Sequence, residues 1–354
     1  MSLTTKVKLG LLATGIAAGV ALPYLTSPFI IGIVTLALVF GLFAMSIDVL
    51  AGFGGLVTVG QAGIFAVAAY GVGYTATHLD GGHVLQVAVG LAAGIAISVI
   101  FAIMAMRTSG VYFLMVTLAQ GMIVWGLAYR LAPITGAENG LRGILRPPAV
   151  SAYWTYYYLV LAIVALAGGL LWIVTRSPVG LALRGLRDGE DRLRMLGYNT
   201  AFHKAYVFVL SGLFATIAGI LYVYLNQFIS PAASEFATSG HGLLMAILGG
   251  TGTLVGPLIG AFVIVFAENM LSTYVERWTT LLGAVFVITI LFARGGLVGM
   301  LSQAWPRVLA RFGHPAASGD AGAGSPPGAA LDGTAHATSN PHGITTEDDQ
   351  RSSR

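Results

Sequence analysis

Two carboxylates of this sequence lie in or beside long apolar runs. Acidic residues in such runs can carry protons across a membrane. Asp48 lies near the end of the run 29–50, and Glu268 lies within the run 254–270. An ionisable group inside a bilayer is costly and is a functional candidate by default. Both acids are near enough to the ends of their runs to reach water. A proton relay and structural pairing therefore both stay open.

A second candidate for chemistry is the motif HLDGGH at residues 78–83, which holds His78, Asp80 and His83. These residue types bind metals, but the motif falls in a short polar loop between apolar runs, so we predict no metal site. The sequence has no P-loop, HExxH or G-x-S-x-G pattern and no cysteine. It predicts neither an enzyme nor a cofactor bound by this chain.

The composition places the chain in a bilayer. Hydrophobic residues make up 56% and charged residues 9%, whereas a soluble domain has about 25% charged residues. The mean hydropathy is +0.83. The 48 glycines indicate close helix–helix contacts and interrupted helices. The net charge of +4 is interpreted as a signal for orientation rather than for nucleic acid, since the cations lie in loops.

The apolar runs predict an all-α polytopic membrane protein with about ten spans and a permease domain over residues 9–312. The short run 241–250 either crosses the membrane or is re-entrant. Only a crossing puts residues 1–8 and the late arginines on the same, positive-inside side. The predicted spans are 9–25, 29–50, 63–77, 83–106, 111–131, 156–175, 205–226, 241–250, 254–270 and 281–292.

The last part of the chain has a different character. Residues 313–354 are mostly Gly, Ala, Ser, Pro, Asp and Thr. Such a composition does not bury enough apolar surface to offset the entropy of ordering. We predict a disordered cytoplasmic tail.

The sequence between the sixth and seventh runs, residues 176–204, is called here the basic segment. It holds six of the eighteen Lys and Arg residues, so it should face the cytoplasm. Ser177 and the following proline predict a helix start, and Gly197 predicts a left-handed stop. Leucines give the segment a broken apolar face: Leu181, Leu183, Leu186, Leu193 and Leu196. The segment is either a topology signal or a docking site for a cytoplasmic partner.

Two glycine-rich breaks interrupt the apolar runs at similar positions about 195 residues apart. Broken helices in corresponding halves indicate a transport pathway, because exposed backbone is tolerated in a bilayer only along a cavity or inside protein. We predict that the substrate path runs between the breaks near the middle of the membrane. The path residues are Gly54, Gly55, Gly60, Gln61 and Gly63 in the first break and Gly249, Gly250, Gly256 and Gly260 in the second.

The basic segment resembles the cytoplasmic loop of LivM-type permeases, the branched-chain amino acid subunits of ABC importers. The matching residues are Ser177, Gly180, Arg184, Arg187, Asp188, Glu190, Leu196 and Gly197. Arg192 and Leu193 depart from the paired alanines of the family. The resemblance continues through residues 51–70, 109–120 (SGVYFLMVTLAQ), 135–143 (TGAENGLRG), 248–260 and 292–299 (FARGGLVG), with Thr58 and Gln61 where Ser and His are usual.

The resemblance implies a ten-span permease like those of type II importers, in a prokaryotic inner membrane. Its partners would be membrane lipid, a second LivH-like permease, two cytoplasmic ATPases that bind ATP and magnesium, and an extracytoplasmic amino-acid-binding protein. The basic segment would couple to the ATPases, and an outer loop would include Thr135, Asn139 and Gly140. Alternatives are uptake of urea or short amides, a proton-coupled secondary transporter, and a structural subunit.

Overall fold

The computed structural model describes residues 22–24, 26–79 and 82–271, together with isolated positions before and after them. The predicted spans 9–25 and 281–292 lie largely outside the described residues. Asp80, residues 1–8 and the tail 313–354 lie wholly outside them.

Helices make up most of the described chain. They are α1 Pro28–Asp48, α2 Gln61–His78, α3 His83–Ala105, α4 Gly110–Arg130, the short α5 Ala132–Thr135, α6 Tyr153–Arg176, α7 Pro178–Asp188, α8 Glu190–Met195, α9 Thr200–Asn226, α10 Phe236–Gly249 and α11 Gly256–Leu271. A π-helical turn, Val49–Phe53, extends α1. Two-residue strands, β1 Leu141–Arg142 and β2 Phe228–Ile229, pair antiparallel.

Five of these helices are long and apolar enough to cross a membrane: α1 with its π turn, α3, α4, α6 and α9. The helices α10 and α11 are apolar but shorter. The described helices begin and end within a few residues of the predicted spans, because apolar runs of this length leave no other way to satisfy backbone hydrogen bonds in lipid.

The helices α1 and α9 form the centre of the bundle, and they are the most deeply buried of the five. Their side chains meet in an aromatic cluster around Phe65 of α2, whose ring lies 5.0 Å from that of Phe43 on α1 and 5.1 Å from that of Tyr222 on α9. The helices α3, α4 and α6 bury much less of their surface. In a multi-pass membrane protein, their exposed apolar faces suit contact with lipid or with another subunit.

The bundle has two ends, which lie about 40 Å apart along the 27 residues of α9. The basic segment leads into the first turn of α9 and defines the basic end. The β1–β2 ribbon follows α9 and defines the ribbon end. There Arg146 donates to the carbonyls of Tyr224 and Leu225 at 2.8 and 2.7 Å, which caps the last turn of α9. Burial lowers the pKa of this guanidinium, and the neighbouring Tyr156 opposes the shift.

Candidate functional site

The basic segment folds as the two helices α7 and α8, and its predicted start and stop are confirmed. The hydroxyl of Ser177 accepts from the amide of Gly180 at 3.5 Å and caps α7. A Cβ at Gly180 would overlap the main chain of Thr175, so this tight corner needs glycine. Gly197 has a φ of +87° and ends α8. Asn199 then accepts from the amide of Phe202 at 3.1 Å and caps α9.

The five leucines predicted to form one apolar face of this segment are divided in the structure. Leu183, Leu186 and Leu193 are buried, but Leu181 is 71% exposed and Leu196 is 74% exposed. Leu181 precedes Leu183 by two residues, which is about 200° around a helix, so it points to the opposite side. Leu196 lies in the turn that ends α8. The two exposed leucines leave an apolar surface open at the basic end.

Arg187 connects the basic segment to the break that follows α1. Its Nη1 donates to the carbonyl oxygen of Gly52, in the π turn, at 2.7 Å. The neighbouring Gly55 has a φ of +69°, and a Cβ there would lie 2.9 Å from the Cα of Arg187. Arg184 donates to the carbonyl of Thr175 at 3.5 Å, and the carbonyl of Asp188 accepts from Arg192. Of these residues, only Arg187 bonds to α1.

A buried ion pair makes a second connection. Lys204, in the first turn of α9, lies 2.6 Å from the carboxylate of Glu190 and donates to the carbonyl of Thr108 at 2.9 Å. Its side chain is 3% exposed. Thr108 lies in the turn between α3 and α4, so this pair ties the basic segment to that turn. Sequence reasoning missed Lys204, because a lysine at the start of a span is also the ordinary positive-inside signal.

The first glycine break rises from the basic end into the bundle. A Cβ at Gly60 would overlap the carbonyl of Thr117, and Gly63 packs against Gly121. Gln61 is fully buried. Its Nε2 donates to the hydroxyl of Ser211 at 3.1 Å, and no protein group within hydrogen-bond distance pairs with its Oε1 among the described residues.

The second glycine break is a close hairpin between α10 and α11. Gly250 and Gly252 have φ values of +118° and +79°. A Cβ at Gly249 would overlap the main chain of Gly256, and one at Gly260 would overlap the carbonyl of Met245. Three of the four predicted path glycines of this break are therefore at close backbone contacts: Gly249, Gly256 and Gly260. Their role in the path stays a prediction.

The two breaks meet at the basic end, beside Arg187. The amide of Gly252 donates to Oδ1 of Asp48 at 2.7 Å. A Cβ at Gly52 would overlap the amide nitrogen of Gly252. Asp48 is 1% exposed, and among the described residues its Oδ2 has no hydrogen-bond partner. We call this contact of Asp48, Gly52, Arg187 and Gly252 the glycine crossing.

A cavity of about 460 Å³ opens elsewhere in the bundle, between α1, α2, α9, α10 and α11. Its wall combines apolar rings and chains with polar groups: Leu36, Phe40, Phe65, Tyr222, Asn226, Ser230, Ala232, Ala233, Thr238, His241, Met245, Glu268 and Asn269. None of the nine predicted path residues belongs to that wall. Of the two predicted carboxylates, Glu268 faces this cavity and Asp48 lies in the glycine crossing.

The predicted outer-loop residues lie at the ribbon end. The hydroxyl of Thr135 donates to the carbonyl of Ala128 at 2.7 Å. Asn139 ends a 3₁₀ turn, Ala137–Asn139. Gly140 has a φ of +64° and packs against the carbonyl of Ile229 in β2, so it seats the ribbon.

The ring nitrogens of the two described histidines in the HLDGGH motif have other neighbours. Nδ1 of His78 lies 2.8 Å from the Thr77 hydroxyl, and Nδ1 of His83 lies 3.3 Å from the Gln86 side chain. In the part of the chain that the structure describes, no group of three His, Cys, Asp or Glu residues is placed to hold a metal.

Comparison with known proteins agrees with the class that this architecture indicates, an all-α multi-pass membrane protein. Residues 29–293 match the family described as "Branched-chain amino acid transport system / permease component". The chain is 28% identical to the high-affinity branched-chain amino acid transport system permease protein LivM of Escherichia coli, over 84% of this chain and 76% of that protein.

Further relatives agree with this match. LivM of Salmonella typhimurium is 27% identical over the same shares. The autoinducer 2 import system permease protein LsrC of Klebsiella pneumoniae is 27% identical over 48% of this chain and 50% of that protein. No solved structure matches the chain. The chain belongs to the branched-chain amino acid permease family, and it is a LivM-type permease subunit of an ABC importer.

Proposed function

We propose that the chain moves branched-chain amino acids across a prokaryotic inner membrane. The energy comes from hydrolysis of ATP, which partner subunits bind together with magnesium. The family match over residues 29–293 carries this proposal. The cavity supports it, because apolar groups such as Leu36 and Phe40 line one part of its wall and the carboxylate of Glu268 lies in another. An aliphatic side chain suits the first kind of surface, and an ammonium group suits the second.

The substrate is tested by uptake of labelled leucine into proteoliposomes that hold the whole complex, with its binding protein. We expect ATP-dependent uptake that valine and isoleucine inhibit and that urea and autoinducer 2 leave unchanged. Inhibition by urea alone would assign the chain to amide uptake. Uptake that needs no ATP and stops on addition of a proton uncoupler would contradict the proposal.

We propose ten spans with both termini in the cytoplasm. The path from α1 to α11 supports this arrangement, since each predicted span in that range corresponds to a described helix. The test is to label single cysteines placed before residue 8 and after residue 312. The chain has no cysteine of its own, so each label reports on one position. An impermeant maleimide should label both only from the cytoplasmic side.

We propose that the exposed apolar surface of the basic segment docks one of two ATPases, while a second permease and a binding protein complete the importer. Four large apolar side chains of this segment are exposed: Leu181, Met195, Leu196 and Phe202. Exposed apolar residues beside charged ones mark protein interaction sites, and the charged side chains of Asp191 and Arg194 are exposed in the same segment.

The docking surface is tested with Leu196→Asp, which puts a charge on the patch without touching the buried leucines. The ATPases should no longer co-purify with the permease, whereas Leu166→Asn, on the exposed face of α6, should keep them. Normal co-purification of Leu196→Asp would place the docking surface elsewhere.

A further inference from the structure

The glycine crossing joins three parts of the chain that are far apart in sequence. Arg187 belongs to α7, Gly52 to the π turn after α1, and Gly252 to the turn between α10 and α11. The guanidinium of Arg187 bonds to the carbonyl of Gly52 at 2.7 Å, and Asp48 accepts from the amide of Gly252 at 2.7 Å. Each turn is thus held by an ionisable side chain from another element.

The crossing is closely packed around Gly52, while the side chain of Arg187 keeps part of its surface exposed. A Cβ at Gly52 would overlap both Asp48 and Gly252, and one at Gly252 would lie 3.3 Å from Nη1 of Arg187. Closely packed groups transmit a displacement, since interiors of this density have low compressibility. A movement of α7 therefore reaches the α10–α11 turn through direct contacts.

Ordinary helix packing does not require these two side chains. The basic segment already has the buried leucines 183, 186 and 193 and the Lys204–Glu190 pair to hold it against the bundle. Burying Asp48 is costly, and one of its oxygens has no hydrogen-bond partner among the described residues. A buried carboxyl group that packing does not need is a candidate for a role in transport.

We propose that Arg187 and Asp48 are positioning residues that couple the basic segment to the α10–α11 hairpin through Gly52. When the ATPases displace α7, Arg187 moves the π turn of α1, and Asp48 moves the amide of Gly252 with it. The hairpin reaches the substrate cavity through Met245 on α10 and Glu268 on α11. The glycine crossing thereby connects ATP hydrolysis to the space that we assign to the substrate. This inference rests on the proposed function.

The first test compares Arg187→Gln, Asp48→Asn and Arg187→Lys in the complete reconstituted importer. Both neutral variants should lower the ratio of leucine uptake to ATP hydrolysed at least fivefold, and Arg187→Lys should restore part of it. The matched control is Arg192→Gln, since Arg192 is exposed and bonds within its own segment; its ratio should stay within twofold of the parent. Equal losses of uptake and hydrolysis, or an unchanged ratio in both neutral variants, would overturn the proposal.

A second test does not depend on the transported substrate. Thr251, in the α10–α11 turn, is exposed, and Thr251→Cys would be the single cysteine of the chain. Its labelling by a maleimide should change at least threefold when the ATPases are trapped with nucleotide. That change should disappear with Arg187→Gln and persist with Arg192→Gln. A change that survives Arg187→Gln, or no change in the parent, would overturn the coupling, whereas failure of leucine uptake alone would count only against the proposed substrate.

Discussion

The glycine crossing and the cavity are two regions built from some of the same helices with opposite packing. At the crossing, main chains of α1 and the α10–α11 turn touch, and added Cβ atoms have no room. At the cavity, side chains of those helices are separated and enclose a volume of about 460 Å³. A transporter needs both properties, because closely packed groups transmit movement between helices and an open cavity admits the solute. The difference indicates which variants should damage the assembly and which should damage transport alone.

The largest effect is expected at Gly52. In Gly52→Ala the new methyl group would overlap main-chain atoms of Gly252, which cannot rotate away. Overpacking of this kind costs about 3 kcal/mol, so the yield of intact complex should fall at least tenfold. Gly32→Ala is the matched control in the same helix, since nothing lies within 4 Å of its Cβ position. A normal yield of Gly52→Ala would mean that the crossing is looser than described.

The crossing shows how far the sequence can predict this site. Apolar runs gave the helices, and glycine spacing marked both breaks. The bond between Asp48 and Gly252 joins residues 204 positions apart, and no local pattern encodes that distance. For Asp48 the sequence left proton transfer and structural pairing open. The structure adds a backbone partner, which is a form of structural pairing.

The cavity was not predicted, for a related reason. Its wall takes residues from five helices and from the turn before α10, and none of them forms a motif. Only Glu268 stood out, as a carboxylate within an apolar run. The sequence placed Leu181 and Leu196 on one broken apolar face with the three buried leucines, because a surface that packs inside the protein and one that a partner covers look the same in sequence.

The next effect in size is expected at Lys204, which anchors the basic segment independently of the crossing. In Lys204→Met, Glu190 loses its buried cation, although it keeps exposed Arg194 at 3.2 Å. Breaking a buried pair costs about 3–5 kcal/mol, and the partial exposure of Glu190 reduces this to about 2 kcal/mol. The thermal midpoint of the purified complex should fall by about 5 °C.

Arg194→Met is the matched control for Lys204→Met, because both variants remove a cation from the same carboxylate. Arg194 is 64% exposed, and such surface pairs contribute about 0–1 kcal/mol. Its thermal midpoint should therefore stay close to that of the parent. Equal shifts in the two variants would show that burial of Lys204 adds nothing.

A smaller effect is expected in the cavity, and on transport rather than on stability. Glu268→Gln keeps the shape of the side chain and removes its charge. A hydrogen bond to a charged group contributes about 1.5–3 kcal/mol, so the leucine concentration for half-maximal uptake should rise roughly tenfold. Glu138→Gln, an exposed carboxylate of the outer loop, should not change it. A lower thermal midpoint with unchanged uptake would make Glu268 a structural residue instead.

The smallest effect is expected at Gly197. The chain needs glycine there for its left-handed backbone conformation, not because a side chain would collide with a neighbour. Its φ is +87°, yet no atom lies within 4 Å of its Cβ position, so Gly197→Val meets strain without overlap. A left-handed residue other than glycine costs about 1–2 kcal/mol, and the turn can relieve part of that by tilting α8 against α9. Uptake should fall a few-fold while the ATPases still co-purify, because Gly197→Val puts no charge on the docking surface and leaves the glycine crossing untouched. Gly169→Val, also without neighbours within 4 Å but inside α6, separates this backbone effect from the bulk of valine. If both variants behave alike, the left-handed turn is not what sets the position of α8.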